Sequence, residues 1–221
     1  MLKYNCLVLD HDDTLVASEI TVNYPCFLEA LKKFRPGETM DYDEFVWWCF
    51  RYDFAEFLRV KYQFTEEELA EEYQMWKEYA RTRIPPLYQG MDRIIREQKA
   101  RGGLVCVVSL SGLDIITRDY REHLGIEPDL VFSADDPREL RKPFTYPLKQ
   151  IMEAYSLSPS DLLMVDDLPM GRDMARNAGV DIAFAGWGRL RSPELYAEME
   201  KTCDFSFDAA EGLYDFLYDK V

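Results

Sequence analysis

Apolar residues recur along this chain in two rhythms. The first is the short run, apolar but for an end residue at Ser133 and Asp181, at 6–9, 104–108, 130–133, 162–165 and 181–185. Such runs have no polar face, and they predict strands covered on both sides, as in the middle of a parallel sheet. The run at 181–185 is expected to be the last strand. The second rhythm is helical. Ile94, Ile95 and Gln98 lie a turn apart within 91–101, which Gly102-Gly103 closes. Helices are also expected over 113–124, 145–155, 171–177 with Gly179 as its stop, and 209–218. Strands alternating with helices predict an α/β fold with a doubly wound parallel sheet.

Residues 17–84 break the alternation. Ile20, Tyr24, Phe27, Leu28 and Leu31 suit an amphipathic helix that Arg35-Pro36-Gly37 ends. Phe45, Trp48, Cys49, Tyr52, Phe57 and Leu58 suggest one long helix or two short ones. Thr65 reads as an N-cap with Glu68 at the capping-box position. The helix it starts carries Leu69, Tyr73, Trp76 and Tyr79, and stops by Ile84-Pro85-Pro86. The aromatic residues between Trp47 and Phe57 are expected to form a core. The predicted division is a sheet domain from 1–16 and 85–221 and an all-helical insertion over 17–84, placed as a lid over the carboxyl edge of the first strand.

The chain has 221 residues, 48% hydrophobic and 30% charged, which fits a folded globular protein. Its formal net charge of −15 disfavours nucleic acid and anionic membrane as partners. It would also repel an anionic substrate, unless the site supplies positive charge of its own. No apolar run of about 18 residues predicts a membrane span. The start, Met1-Leu2-Lys3-Tyr4, lacks a signal-peptide pattern, so the cytoplasm is expected. The five cysteines are scattered, without a C-x-x-C pair, and the two histidines, His11 and His123, lack a partner histidine nearby. Neither a disulfide framework nor zinc is indicated. Oligomeric state has no readable signal.

Charge arrives abruptly at the end of the first run, in Asp10-His11-Asp12-Asp13-Thr14. Three carboxylates in four positions repel one another. They are either a solvated acidic turn or the ligands of a cation such as Mg²⁺, which takes carboxylate oxygens. Open α/β sheets bind ligands at this edge. Other polar residues close later runs: Ser109-Leu110-Ser111 after the second and Asp166-Asp167 after the fourth, with Lys142-Pro143 ahead of a helix. Taken singly, Ser109 reads as a turn residue, Ser111 as a cap for the helix at Leu113, Lys142 as a surface lysine and Asp166-Asp167 as a capping turn.

Taken together and in order, Asp10-x-Asp12-x-Thr14, Ser109, Lys142-Pro143 and Asp166-Asp167 resemble the four motifs of the haloacid dehalogenase (HAD) superfamily. The stretch from Val165 to Gly179 is similar to the fourth-motif strand, loop and helix, and Gly186-Trp187-Gly188 to a loop that many members carry. The helical insertion is similar to the C1 cap of the subclass with phosphoglycolate phosphatases and β-phosphoglucomutases. The resemblance covers nearly the whole chain and implies a Rossmann-like core with an inserted helical cap. It implies a Mg²⁺-dependent phosphatase acting on a small phosphorylated metabolite. In that reading Asp10 is the nucleophile that becomes an aspartyl-phosphate and Asp12 the acid/base. Ser109 and Lys142 hold the phosphoryl group, with Thr14, Leu110 and Ser111 beside it. Asp10, the Asp12 carbonyl and Asp166 or Asp167 hold the metal.

Several positions depart from that pattern. Asp13 stands where Gly is usual, as a third carboxylate that strengthens metal binding or alters the turn. His11 replaces a frequent aromatic and is expected to pack; exposed, it would titrate near neutrality. Leu110 replaces a common Asn. No second Asp follows four residues beyond Asp167, and Asp173 is expected in solvent. Asp12 favours phosphate esters, because relatives that cleave carbon–halogen bonds lack this acid. A phosphomutase and a catalytically silent binding protein remain alternatives. A phosphate-accepting receiver domain has its acidic pair ahead of the accepting Asp, the reverse of the order here. Glu19, Arg51 and Lys61 are the candidate substrate contacts from the insertion.

Overall fold

The structure is a computed structural model that describes residues 2–189 and 192–219. It divides into two compact units, Met1–Ala17 with Pro86–Val221, and Ser18–Pro85.

The first unit is a six-stranded sheet in the order β3-β2-β1-β4-β5-β6, with every pairing parallel. The strands are β1 (Cys6–Leu9), β2 (Leu104–Val108), β3 (Leu130–Phe132), β4 (Leu162–Asp166), β5 (Asp181–Ala185) and β6 (Phe205–Phe207). The expectation that 181–185 would be the last strand needs correcting, since Ala183 to Ala185 pair with β6. Three residues with a serine at the centre, half-buried at an edge, give too short a pattern to read.

In the central strand β1, alternate residues serve the two faces. Leu7 and Leu9 pack with Met91, Ile94, Ile116 and Leu213, which come from α5 (Met91–Ala100), α6 (Leu113–Leu124) and α10 (Ala210–Tyr218). Cys6 and Val8 pack with Leu148, Ile151 and Met174, from α7 (Tyr146–Tyr155) and α8 (Pro169–Ala178). Full burial of each such side chain contributes roughly 1.5–3 kcal/mol, so the double cover fixes the register of β1 and where its carboxyl end falls. A helix absent from the sequence reading, α9 (Pro193–Thr202), precedes β6. It opens on Ser192-Pro193-Glu194, a start signal present in the sequence.

The second unit is helical: a π-helical turn over Glu19–Asn23, then α1 (Tyr24–Phe34), α2 (Tyr42–Arg51), α3 (Phe54–Tyr62) and α4 (Glu66–Arg81). The residues expected in one long helix or two form two, because Asp53 caps α3 by accepting from Glu56 N. The Thr65–Glu68 capping box is present on both sides. Phe27, Phe45 and Phe57 are fully or almost fully buried and meet one another at centroid distances of 4.9–6.2 Å. Glu19 and Glu72 are buried here, Arg51 is exposed, and Lys61 donates to Glu44 at 3.0 Å. Among the described residues, no helix is long and apolar enough to cross a membrane.

Candidate active site

Parallel strands end their carbonyls on one edge, and β1, β2 and β4 place their following loops side by side there. Asp10 leaves β1 with its N–H still donating to Val165 O at 2.9 Å, so its start is pinned to β4. Asp166 ends β4, and its Oδ1 accepts from Leu168 N at 2.8 Å, at the head of α8. Lys142 arrives from the loop before α7. Its Nζ donates to Asp10 Oδ1 at 2.6 Å and Asp166 Oδ2 at 2.8 Å, and all three groups are almost wholly buried. Ligand oxygens of Asp10, Asp166 and Asp167 lie within 4.8 Å of one another.

A buried ammonium ordinarily loses its proton, but Asp10 and then Asp166 outweigh that tendency, and Lys142 is held well above the lysine range. Burial raises Asp166 to about 6 against the opposing pull of Lys142. Burial likewise pushes Asp167 far up, although Arg189 opposes it.

The Asp166 carboxylate occupies the space that a side chain at 171 would take. A Cβ on Gly171 would collide with it. The position four beyond Asp167 is therefore bare because the preceding acid already fills it.

Ser109 N donates to Phe132 O at 3.0 Å, and its Oγ accepts from Ser111 N at 3.2 Å, which leaves its O–H to donate elsewhere. Ser111 does not cap α6. The cap position is Gly112, the Leu113 amide goes to Asp135 Oδ2 at 2.9 Å, and Ser111 Oγ is buried without a hydrogen-bond partner. Leu110 is half-buried between them and Asp12 is half-buried in its loop. Thr14 Oγ1 donates to Asp167 Oδ1 at 3.4 Å. Asp173 is exposed and accepts from Arg172 at 2.8 Å.

His11 packs, fully buried, with Nε2 3.1 Å from Asp119 Oδ2 and its ring over Tyr120. Burial works against charging the ring, but the bond to Asp119 and the charges of Asp12, Asp119 and Asp10 prevail and raise its pKa.

The acidic turn is held by a residue that motif reading missed, Arg189. Asp13 has φ 52°, the left-handed conformation that glycine adopts freely. Its Oδ2 accepts from Arg189 Nη1 at 3.1 Å, and Arg189 Nη2 lies 2.5 Å from Asp167 Oδ2. The latter contact is an ion pair without hydrogen-bond alignment, since Asp167 Oδ2 has no hydrogen-bond partner. The segment 186–189 straps the turn down. Trp187 Nε1 donates to Thr14 O at 3.0 Å, and Gly188 lies so close to the Asp13 carbonyl that a Cβ there would strike it. The available signals were an acid where Gly is usual and an arginine straight after Gly186-Trp187-Gly188.

Three buried carboxylates whose oxygens converge within 4.8 Å are the hard oxygen donor set that suits a divalent cation. Asp10, Asp166 and Asp167 are the groups that would hold it.

No curated protein sequence matches the chain. Solved structures do. A predicted phosphoglycolate phosphatase from Haemophilus somnus 129pt is similar at TM-score 0.76 and 16% identity, over 98% of this chain and 99% of that one. CbbY from Rhodobacter sphaeroides in complex with phosphate is similar at TM-score 0.74 and 17% identity, over 96% of each. A HAD-superfamily hydrolase of subfamily IA from Geobacter sulfurreducens is similar at TM-score 0.68 and 17% identity, over 98% of each. At these identities the likeness speaks for the fold. The sequence itself decides the family: the model of haloacid dehalogenase-like hydrolases matches residues 7–185, from inside β1 to the end of β5, and the chain belongs to that family.

Proposed function

We propose that the protein is a Mg²⁺-dependent phosphoric monoester hydrolase for a small phosphorylated metabolite, acting through an aspartyl-phosphate on Asp10. The observation that carries this reading is the buried trio Asp10–Lys142–Asp166 with Asp167 beside it. A carboxylate nucleophile and a phosphate dianion repel each other. Lys142, charged and fixed at 2.6 Å from Asp10, offsets that repulsion where the phosphoryl group would arrive. Bound Mg²⁺ would supply further charge neutralisation to the phosphoryl oxygens.

The chain's own groups divide the remaining work. Asp10 attacks phosphorus and the ester oxygen leaves. Asp12, two residues on, gives that oxygen its proton and then takes one from the water that cleaves the acyl phosphate. Ser109 Oγ–H donates to a phosphoryl oxygen, with Ser111 and the half-buried Leu110 alongside and Thr14 steadying Asp167. The helical unit, inserted between Ala17 and Pro86, is read as the cap that excludes water and chooses the leaving group. The crystallisation of CbbY with phosphate, and in a mutant form with xylulose-(1,5)bisphosphate, supports a small phosphorylated ligand. Five free cysteines fit a reducing compartment such as the cytoplasm.

The test is hydrolysis of p-nitrophenyl phosphate by the purified protein with Mg²⁺, with EDTA, and as Asp10→Asn. Turnover that needs Mg²⁺ and disappears in the variant is expected. Turnover that survives Asp10→Asn would refute the nucleophile.

A further inference from the structure

Asp13 and Arg189 have no part in the reaction just described, yet they are among the most buried charges in the molecule. Guanidinium never sheds its proton, so a buried arginine needs counter-charge. For Arg189, Asp13 at 3.1 Å and Asp167 at 2.5 Å both supply it. Its planar fork suits such bridging, one nitrogen toward each carboxylate. Its own amide donates to Gly186 O at 2.9 Å. The backbone before it is held by the Trp187–Thr14 hydrogen bond and by the close approach of Gly188 to Asp13. A divalent cation bound by Asp10, Asp166 and Asp167 therefore shares Asp167 with a fixed positive charge on its other side.

We infer that Arg189, braced by Asp13, is a positioning residue of the metal site. It fixes the Asp167 carboxylate and offsets part of its charge, so that Mg²⁺ binds more weakly than the carboxylates alone would hold it. This rests on the reading of Asp10, Asp166 and Asp167 as the metal site. Two effects oppose each other when Arg189 is removed. Asp167 loses an anchor, which loosens the site, and a positive charge held against the same carboxylate disappears, which tightens it. In a buried site the charge effect is the larger, and Thr14 remains as a second anchor.

The experiment is calorimetric Mg²⁺ titration of the stripped full-length protein, with melting temperatures in EDTA and in Mg²⁺. Wild type, Arg189→Gln, Asp13→Asn and Arg189→Lys are compared. Arg189→Gln is expected to bind Mg²⁺ about tenfold tighter, to melt lower in EDTA, and to gain more from Mg²⁺ than wild type does. Asp13→Asn removes one counter-charge and leaves more of the guanidinium's charge to Asp167, so Mg²⁺ binding is expected to weaken several-fold. Arg189→Lys keeps the charge but not the fork, and its Mg²⁺ affinity is expected to fall between wild type and Arg189→Gln. Unchanged or weaker Mg²⁺ binding by Arg189→Gln, or an equal melting loss with and without Mg²⁺, overturns the inference and leaves a structural brace. If Arg189→Gln does not fold, Asp13→Asn decides: equal or tighter Mg²⁺ binding overturns it. A wild type that takes up no Mg²⁺ refutes the metal site itself, whereas binding by wild type with indifferent variants refutes only the role of Arg189.

Discussion

The same few side chains carry both chemistry and cost at the residue scale, and magnitudes separate the two. Asp13 in the left-handed region costs roughly 1–2 kcal/mol that Gly would not. Removing one partner of a buried ion pair costs roughly 3–5 kcal/mol. Asp13→Gly should therefore destabilise the protein, by about 1–3 kcal/mol after the strain is relieved and Asp167 retains part of the pairing; urea unfolding reads it directly. A second prediction concerns Asp12. If it protonates the leaving oxygen, Asp12→Asn should slow an alkyl phosphate far more than p-nitrophenyl phosphate, whose leaving group needs little help. An equal loss on both substrates would remove Asp12 from that role. The groups at strand ends were legible because each follows an unbroken apolar run, as Asp10, Ser109 and Asp166 do. Arg189 was not, because its partner Asp13 lies 176 positions away and pairs of charges carry no local pattern.

Local sequence governs where elements begin, and tertiary space decides what they tolerate. Gly171 is the third residue of α8. Helix propensity alone favours Ala there by about 1 kcal/mol. The collision with the Asp166 carboxylate decides the sign, and Gly171→Ala should lose about 1–3 kcal/mol in thermal or urea unfolding. In α4, Glu72 is 5% exposed, and burial raises its pKa to about 7. A carboxyl whose folded pKa exceeds its unfolded 4.5 binds more protons folded than unfolded between those values. Stability therefore falls as pH rises from about 4.5 to 7 and stays low above, by up to about 3 kcal/mol. Glu72→Gln should flatten that decline and melt higher than wild type at pH 8, as far-ultraviolet circular dichroism of the two proteins across pH would show. The capping box of α4 and the runs of β1, β2 and β5 were readable because they are local. The edge strand β6 was not, being three half-buried residues whose identity as a strand comes from pairing with β5.

At the scale of the whole molecule, 41 acidic residues face 26 basic ones, and the excess repels itself. Screening should relieve this, so melting temperature is expected to rise between about 0.02 and 0.3 M NaCl; a fall would mean that surface ion pairs such as Arg59–Glu66 outweigh the net charge. Alternation of apolar runs and helices made the sheet legible, and the sustained helical rhythm of residues 17–84 marked the change of architecture. The strand order itself depends on contacts between segments far apart, which no window of sequence contains. One consequence of that long-range folding lies in the strap. The chain has four tryptophans, three of them in Ser18–Pro85, and Trp187 alone belongs to the sheet unit. Its indole N–H is tied to the carbonyl of Thr14, within the loop that also carries Asp10 and Asp12. With the other three replaced by phenylalanine, Trp187 becomes a native fluorophore hydrogen-bonded to the reaction loop, readable without any label.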